Sequence, residues 1–339
     1  MKPFDLLTLG EVLYRLSPPG MERLSACDTL IRRVGGAELN VAVGAAELGL
    51  KSGLITKLPA GTAGAYARHE IRANALSECY IAEDHSRDAR LGIYYMEAGA
   101  APRKPAVIYD RKYSSIYTIS PEDFPEEMYH AARCFLTTGI TLALGGAVRE
   151  TAVEMIRRFK AGGARIAFDV NFRGNLWSGA EAKACIEQLL PLVDIFFCSE
   201  STARLTFGLS GTTEQMMKQF TEQYPIQMVV STIRTVHSPK VHDFGSVLYD
   251  SETDRYYCAK PYTSIDVADR IGSGDAYIAG CLYGLLKEDG NPADAVRYGN
   301  AFAALKCTVE GDLPDSSLEE TVEVIRTHES DGPETEMKR

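Results

Sequence analysis

Residues 269–286 read DRIGSGDAYIAGCLYGLL. The last eleven positions are apolar almost all round, which predicts a helix buried on every side. Its first turn falls at Gly272–Asp275. The free N–H groups and the positive dipole end of a helix start form an anion site, and glycines let a phosphate approach closely. Asp275 at that end is expected to stay ionised and able to accept a proton. A hydroxyl beside it would be activated where a phosphoryl group is held, the geometry that phosphoryl transfer needs. A glycine turn with an aspartate cap would explain G-S-G-D equally well; the buried helix behind it favours the functional reading.

Upstream of this segment, short apolar runs alternate with helical patterns. Strands are predicted at 5–9, 52–57, 133–138, 165–170, 194–198 and 227–232. Helices are predicted near 37–49, 64–77, 145–160, 178–190, 211–223, 274–287, 291–308 and 315–327. Ser178 with Glu181 forms a capping-box pattern, and Asn291-Pro292 reads as N-cap followed by N1. The alternation predicts an α/β fold, a mostly parallel central sheet with helices on both faces. Residues 11–34 and 90–118 break the pattern and read as short β segments of a small inserted lid. The α/β core is then 1–10, 35–89 and 119–327, and 328–339 is a polar tail expected to be mobile. The predicted strands run into polar or glycine residues: Gly10 and Glu11, Thr137 and Thr138, Asp169 with Asn171 and Arg173, Ser199 and Glu200, Ser231 and Thr232. Ligands of open α/β sheets bind at the carboxyl ends of the strands.

Composition narrows the function. The chain has 339 residues, 45% apolar and 24% charged, enough for a large core. A net charge of −10 argues against a nucleic-acid or acidic-membrane partner, so any anionic ligand must meet a local basic cluster. The amino terminus shows no secretion signal and no run approaches membrane-spanning length, so a cytoplasmic location is expected. The eight cysteines form no Cys-x-x-Cys pair and are expected to be reduced and mostly buried. No Gly-Lys phosphate loop, no G-x-G-x-x-G after a strand, no His-Arg-Asp loop and no G-x-S-x-G elbow is present. Gly35-Gly36 opens the helix at 37–49, with Asn40 one turn in, placed to hydrogen-bond a polyol.

Together, GGAELNVAVGAAELGL (35–50) and DRIGSGDAYIAG (269–280) resemble the two signatures of the ribokinase-like, or PfkB-type, carbohydrate kinases. Within them the chain is most similar to 2-keto-3-deoxygluconate kinases. The likeness is carried by LGEVLYRLSPPG (9–20), TKLP (56–59), LGIYYMEAGA (91–100), VIYDRKYSS (107–115), SPEDF (120–124), DVNFRGNLW (169–177) and ALKCTVEGD (304–312). The resemblance implies that Asp275 is the base and that Gly272, Ser273 and Gly274 form an anion hole. It places the sugar at Gly35, Gly36, Asn40, Tyr94, Tyr109, Arg111 and Arg173. It places ATP near Ser231, Thr232, Arg234, Gly245 and Asn300. Mg²⁺ is implied as well, with K⁺ or another monovalent cation at Asp269.

Three stretches depart from the family pattern. The usual Asn-x-x-Glu is Ser199-Glu200-Ser201-Thr202, leaving Glu200 as a weak metal candidate. The turn near 60 is Ala60-Gly61-Thr62-Ala63, and the usual Pro-Gly-Asp is Glu310-Gly311-Asp312. The implied reaction is ATP-dependent phosphorylation of 2-keto-3-deoxygluconate at its terminal hydroxyl. Alternatives are a fructokinase-like keto-sugar kinase and a catalytically weak sugar-binding regulator on the same fold. Arg111 and Arg173 favour an acid, because a guanidinium fork suits a carboxylate; the competing view pairs them with Asp110 and Asp169. A dimer through the lid is expected.

Overall fold

The computed structural model describes residues 2–330. Fourteen strands form two sheets among these residues. The strands of the large sheet are β1 (Phe4–Leu9), β4 (Ser52–Pro59), β5 (Ile81–Asp84), β8 (Ala132–Thr138), β9 (Arg165–Asp169), β10 (Ile195–Phe197), β11 (Met228–Ser238), β12 (Val241–Asp250), β13 (Arg255–Cys258) and β14 (Tyr262–Asp266). Their order is β13-β12-β11-β10-β9-β8-β1-β4-β5, with β14 also paired to β12. All pairs from β5 to β11 are parallel, and β12 joins antiparallel to β11, β13 and β14. The small sheet has the order β3-β2-β6-β7, from β2 (Leu13–Ser17), β3 (Ile31–Gly35), β6 (Gly92–Glu97) and β7 (Ala106–Asp110). The helices are α1 (Ala37–Glu47), α2 (Thr62–Ala73), α3 (Gly139–Ala143), α4 (Gly146–Ala161), α5 (Gly179–Glu187), α6 (Glu200–Phe207), α7 (Thr213–Gln223), α8 (Ser273–Leu286), α9 (Pro292–Cys307) and α10 (Leu318–Glu329).

The parallel strands are apolar at nearly every position because helices cover both faces. Side chains alternate between the faces. Phe135, Phe168, Phe196 and Val229 enter one core cluster with α4 and α7, while Leu136, Ala167, Ile195 and Val230 enter the other with α8 and α9. In α8 the residues from Ala276 to Leu286 are buried except Tyr283, as its all-round apolar sequence predicts. Both start signals hold: Ser178 Oγ accepts from Glu181 N–H (3.2 Å), and Asn291 Oδ1 from Asp294 N–H (3.0 Å).

Some expectations are revised. The antiparallel β12–β14 flank, β5 and α6 were not foreseen, because their residues lack a long apolar run. The distal half of β11 is exposed, including Ile233 and Val236. Only four cysteines are buried (Cys134, Cys198, Cys281 and Cys307); all eight are free thiols. His328 and Glu329 belong to α10, so the predicted tail starts too early; its residues 331–339 lie outside the described residues. Among the described residues no helix is long and apolar enough to cross a membrane.

Parallel pairing brings the carboxyl ends of β1, β8, β9, β10 and β11 to one edge. A cleft of about 620 Å³ opens there, with the small sheet forming its other wall.

Candidate active site

The cleft floor is the start of α8. Gly272 is its N-cap, at φ +82°, a left-handed conformation that glycine adopts without strain. A Cβ there would lie 2.0 Å from the Asp312 carbonyl oxygen, so the turn is pressed against the 310–312 loop. No side chain caps the helix, and nothing lies within 4 Å of where a Cβ on Gly274 would sit. The Ser273 N–H donates to the Arg270 carbonyl at 3.3 Å, and the turn lines the cleft, where a helix start can receive an anion.

Asp275 follows one residue later, half-buried on the cleft floor. Its Oδ2 accepts a 2.7 Å hydrogen bond from Asn40 Nδ2 on α1. Asn40, which lines the cleft, thus holds the Asp275 carboxylate through its amide nitrogen, while its Oδ1 has no hydrogen-bond partner among the described residues. The Asp275 carboxyl is pushed up to about 7 by burial, with the Asp169 and Glu38 carboxylates adding to the rise and Asn40 and Arg173 opposing it. That overturns the expectation that the helix end keeps it readily ionised. Loss of water and neighbouring negative charge outweigh the dipole, whose effect on a nearby charge is at most about 2 kcal/mol.

Asp169, at the end of β9, is likewise pushed up to about 7 by burial. Its Oδ1 accepts from the N–H of Asn171, which sits at φ +38°. Two carboxyls displaced in the same cleft are a signature of a reactive site. Glu38 lies deeper. Its Oε1 accepts from Thr138 N–H (3.0 Å), Thr138 Oγ (2.8 Å) and Thr141 Oγ (2.6 Å), and burial raises its carboxyl.

Gly36, Tyr94, Tyr109, Arg111 and Arg173 all line the cleft. Arg111 is buried and its Nε donates to Glu11 Oε2 at 2.9 Å, while Asp110 pairs with Arg90. The acid facing Arg111 is therefore Glu11, which no local pattern suggests. Arg173 makes no ion pair among the described residues; its guanidinium donates to the Phe172 carbonyl at 3.1 Å. The Tyr94 hydroxyl is donated to Asp312 at 2.6 Å, and its ring packs 5.7 Å from that of Tyr109. Gly35 does not line the cleft. A Cβ on it would lie 2.1 Å from Asp312 Oδ2, so it makes room for that carboxylate.

On the other side, Thr232, Arg234 and Arg270 line the cleft. Neither Arg234 nor Arg270 has a carboxylate partner among the described residues, and burial near Arg270 lowers the Arg234 guanidinium. Ser231, Gly245 and Asn300 are corrected. Ser231 and Asn300 are buried, Asn300 Oδ1 accepting from Ser246 Oγ at 2.8 Å, and Gly245 faces Pro261; none lines the cleft. They lie beneath the cleft surface, where Ser231 Oγ and Asn300 Nδ2 have no hydrogen-bond partner among the described residues.

Both metal expectations change. Glu200 lies outside the cleft lining, bound by Arg204 Nε (3.0 Å) and Thr213 Oγ (2.5 Å). Asp269 is engaged by Arg15 (2.6 Å) and by the N–H groups of Ile271 and Gly311, so a guanidinium already stands where a monovalent cation was expected. No group of three His, Cys, Asp or Glu among the described residues is arranged to hold a metal ion. Asp169 and Asp275 remain as cleft carboxylates, which suits a Mg²⁺ that takes most of its ligands from phosphates and water.

Sequence reading passed over Glu11, Glu38, Asp169, Arg270 and Asp312 as site residues. All five stand inside quoted motifs, and Glu11 and Asp169 also at predicted strand ends, so their place was a usable signal; the partners they meet were not.

Comparison with known proteins gives the family of the chain. The pfkB family carbohydrate kinase model matches residues 4–318. A 2-dehydro-3-deoxygalactonokinase of Haloferax volcanii is 36% identical over 323 residues, covering 95% of this chain and 96% of that protein. A 5-dehydro-2-deoxygluconokinase of Shouchella clausii is 27% identical, covering 90% of each. The crystal structure of a 2-dehydro-3-deoxygluconokinase from Thermotoga maritima superposes with a TM-score of 0.89 at 29% identity, covering 95% of this chain and 98% of that one. Matched along nearly its whole length in both sequence and fold, the chain belongs to the pfkB family of carbohydrate kinases.

Proposed function

We propose that the protein transfers the γ-phosphoryl group of MgATP to the terminal hydroxyl of a 2-keto-3-deoxy sugar acid, 2-keto-3-deoxygluconate or its galactonate epimer, giving the 6-phosphate. One observation carries the mechanism: the Asp275 carboxylate, held by Asn40, lies beside the uncapped first turn of α8 on the cleft floor. A sugar hydroxyl there gives its proton to Asp275 while its oxygen attacks the γ-phosphorus, and ADP departs on the opposite side. The amides at Gly272–Gly274 face the charge that develops on the transferring group. Thr232, Arg234 and Arg270 lie where the phosphates of the nucleotide would run. Mg²⁺ arrives with ATP as part of the cosubstrate.

The acid is inferred from Arg111 and Arg173 on the sugar side, with the Tyr109 ring beside Arg111. The names of the relatives point the same way, since all three are kinases of dehydro-deoxy sugar acids. The small sheet acts as a lid that excludes water, the competing phosphoryl acceptor. A second copy of the chain packs on that sheet, where all five residues of β7 are exposed.

A coupled assay of ADP release over both keto-deoxy acids, fructose and ribose tests the reading. Turnover of a keto-deoxy acid well above that of fructose is expected. A preference for fructose replaces the acid with a neutral keto-sugar, and no turnover with any of them leaves a sugar-binding regulator.

A further inference from the structure

The two arginines of the sugar side differ in electrical character, and Glu11 is the reason. Glu11 stands just past β1 and Arg111 just past β7, so their pair joins the large sheet to the small one; both are buried. Glu11 Oε2 accepts from Nε (2.9 Å) and Nη2 (2.5 Å) of Arg111, and Glu11 Oε1 accepts from Ser114 Oγ (2.6 Å). Burial raises the Glu11 carboxyl, opposed by the Arg111 charge and the Ser114 hydroxyl. All three of these hydrogen bonds are ones it accepts, which favours the ionised form. Gly92 makes room for the pair: a Cβ on it would lie 2.6 Å from Glu11 Oε1 and 3.1 Å from Arg111 Cβ. The Tyr109 ring flanks the guanidinium at 5.4 Å. Arg111 lines the cleft, and its Nη1 has no partner among the described residues.

A guanidinium held in this way is a directed donor more than a charge. A carboxylate in direct contact cancels its cation, so an incoming anion meets a dipole, whose attraction falls off faster with distance than that of a free charge. The planar fork is locked along one edge, so little freedom is lost when Nη1 donates to a ligand. A neutral oxygen, the keto or a hydroxyl oxygen of the sugar, suits such a donor. The neighbouring Arg90 is likewise cancelled, by Asp110. Arg173 is the opposite case: it is exposed, lines the same cleft and makes no ion pair among the described residues. The sugar side therefore offers one free cation, although two arginines line it.

We propose that Glu11 is a positioning residue that determines specificity: it cancels the charge of Arg111 and fixes it as a donor to a neutral oxygen of the sugar, so that Arg173 alone meets the carboxylate. This rests on the sugar-acid reading above and assigns its two arginines to two parts of one substrate. One free cation matches a substrate with one carboxylate. Discrimination of this kind depends on the summed charge of the Glu11–Arg111 pair, not on either member alone.

The test compares two ligands by calorimetric titration into the full chain at pH 8. One is the keto-deoxy acid that the wild type phosphorylates; the other is the neutral 3-deoxy-ketohexose with CH₂OH in place of its carboxylate. The readout is the Kd of the neutral sugar divided by that of the acid. In the wild type this ratio is expected to be roughly ten or more. E11Q leaves the pair with a net positive charge and should raise the ratio roughly fivefold or more; R111Q leaves a net negative charge and should lower it as much. The double variant E11Q/R111Q restores zero charge, so its ratio returns to within about twofold of wild type while both ligands bind more weakly for want of the Nη1 donor. If a single variant does not fold because it strands a buried charge, the double variant, which strands none, decides. A ratio that stays collapsed in the double variant makes Arg111 the partner of the carboxylate and overturns the proposal. So do variants that weaken both ligands with the ratio unchanged, the result of a purely structural pair. Both outcomes leave the sugar-acid reading standing. A wild type that binds the neutral sugar as well as the acid, or phosphorylates no keto-deoxy acid, overturns that reading and the proposal with it.

Discussion

Asp275 shows how one residue can have a place foreseeable from sequence and a proton affinity that is not. Its position at the start of α8 follows from the G-S-G-D turn, but its carboxyl is pushed up to about 7 by burial and by Asp169 and Glu38. A base must be unprotonated to act, so kcat/KM is expected to fall as pH drops through about 7 and to level off above it; a profile flat from pH 5 to 8 would show that the Asp275 carboxyl is not raised. Asp275→Asn removes the proposed base and should lower kcat by ~10²–10⁴-fold. The folded state holds the Asp275 proton more tightly than the unfolded chain between 3.8 and about 7, so this group's contribution to stability declines as pH rises through that window. At pH 8 the Asn variant should therefore melt no lower than wild type, which a thermal unfolding curve checks.

The two arginines call for separate treatment. Arg173 lacks an ion pair, and Arg173→Leu should raise KM for the keto-deoxy acid roughly ten- to hundredfold, the loss of a charge-assisted bond of ~1.5–3 kcal/mol. The KM for fructose should move far less, and parallel losses would remove the carboxylate role. Arg111→Leu would also strand Glu11 as a buried unpaired charge, at a cost of roughly 3–5 kcal/mol of stability. Binding by that variant therefore has to be read together with its unfolding curve.

At the scale of elements, α8 and α9 set the depth of the cleft floor. They approach closely because α8 carries Gly280 and Gly284 on the contact face. A Cβ on Gly280 would lie 2.6 Å from the Tyr298 carbonyl oxygen, and one on Gly284 2.5 Å from the Ala295 nitrogen. Neither neighbour is a flexible side chain, so the helices would have to separate. Gly284→Ala is expected to cost about 1–3 kcal/mol, the usual range for overpacking, measured by denaturant unfolding. An unchanged midpoint would show that α9 can slide. The all-round apolar character of α8 was legible in its sequence. The antiparallel flank from β12 to β14 was not, because pairing of β12 with β11, and of β13 and β14 with β12, rather than any local apolar run makes those residues strands.

For the whole molecule, the decisive feature is one cleft walled by the ends of the large sheet and by the small sheet. If the small sheet closes over the sugar, amide exchange in β2, β6 and β7 should slow when the keto-deoxy acid is saturating. Unchanged exchange there would count against a moving lid while leaving the kinase chemistry untouched. If a second copy covers the small sheet, Ile108→Glu, on exposed β7, should shift the sedimentation coefficient to that of a monomer. A wild type that already sediments as a monomer removes the dimer.

The sequence by itself determined the α/β class, the strands whose polar ends meet at one edge, the anion turn at Gly272–Gly274 and the place of Asp275 within it. All of these follow from short-range patterns, because apolar periodicity and glycine turns act over a few residues. Tertiary structure alone decided which charges meet. Glu11 with Arg111, Asn40 with Asp275, and Arg15 and Tyr94 with Asp312 join residues between 100 and 297 positions apart. It also turned Glu200 out of the cleft and buried Ser231, Gly245 and Asn300 beneath it. Burial and pairing depend on what the rest of the chain places opposite a residue, and no local window of sequence contains that partner.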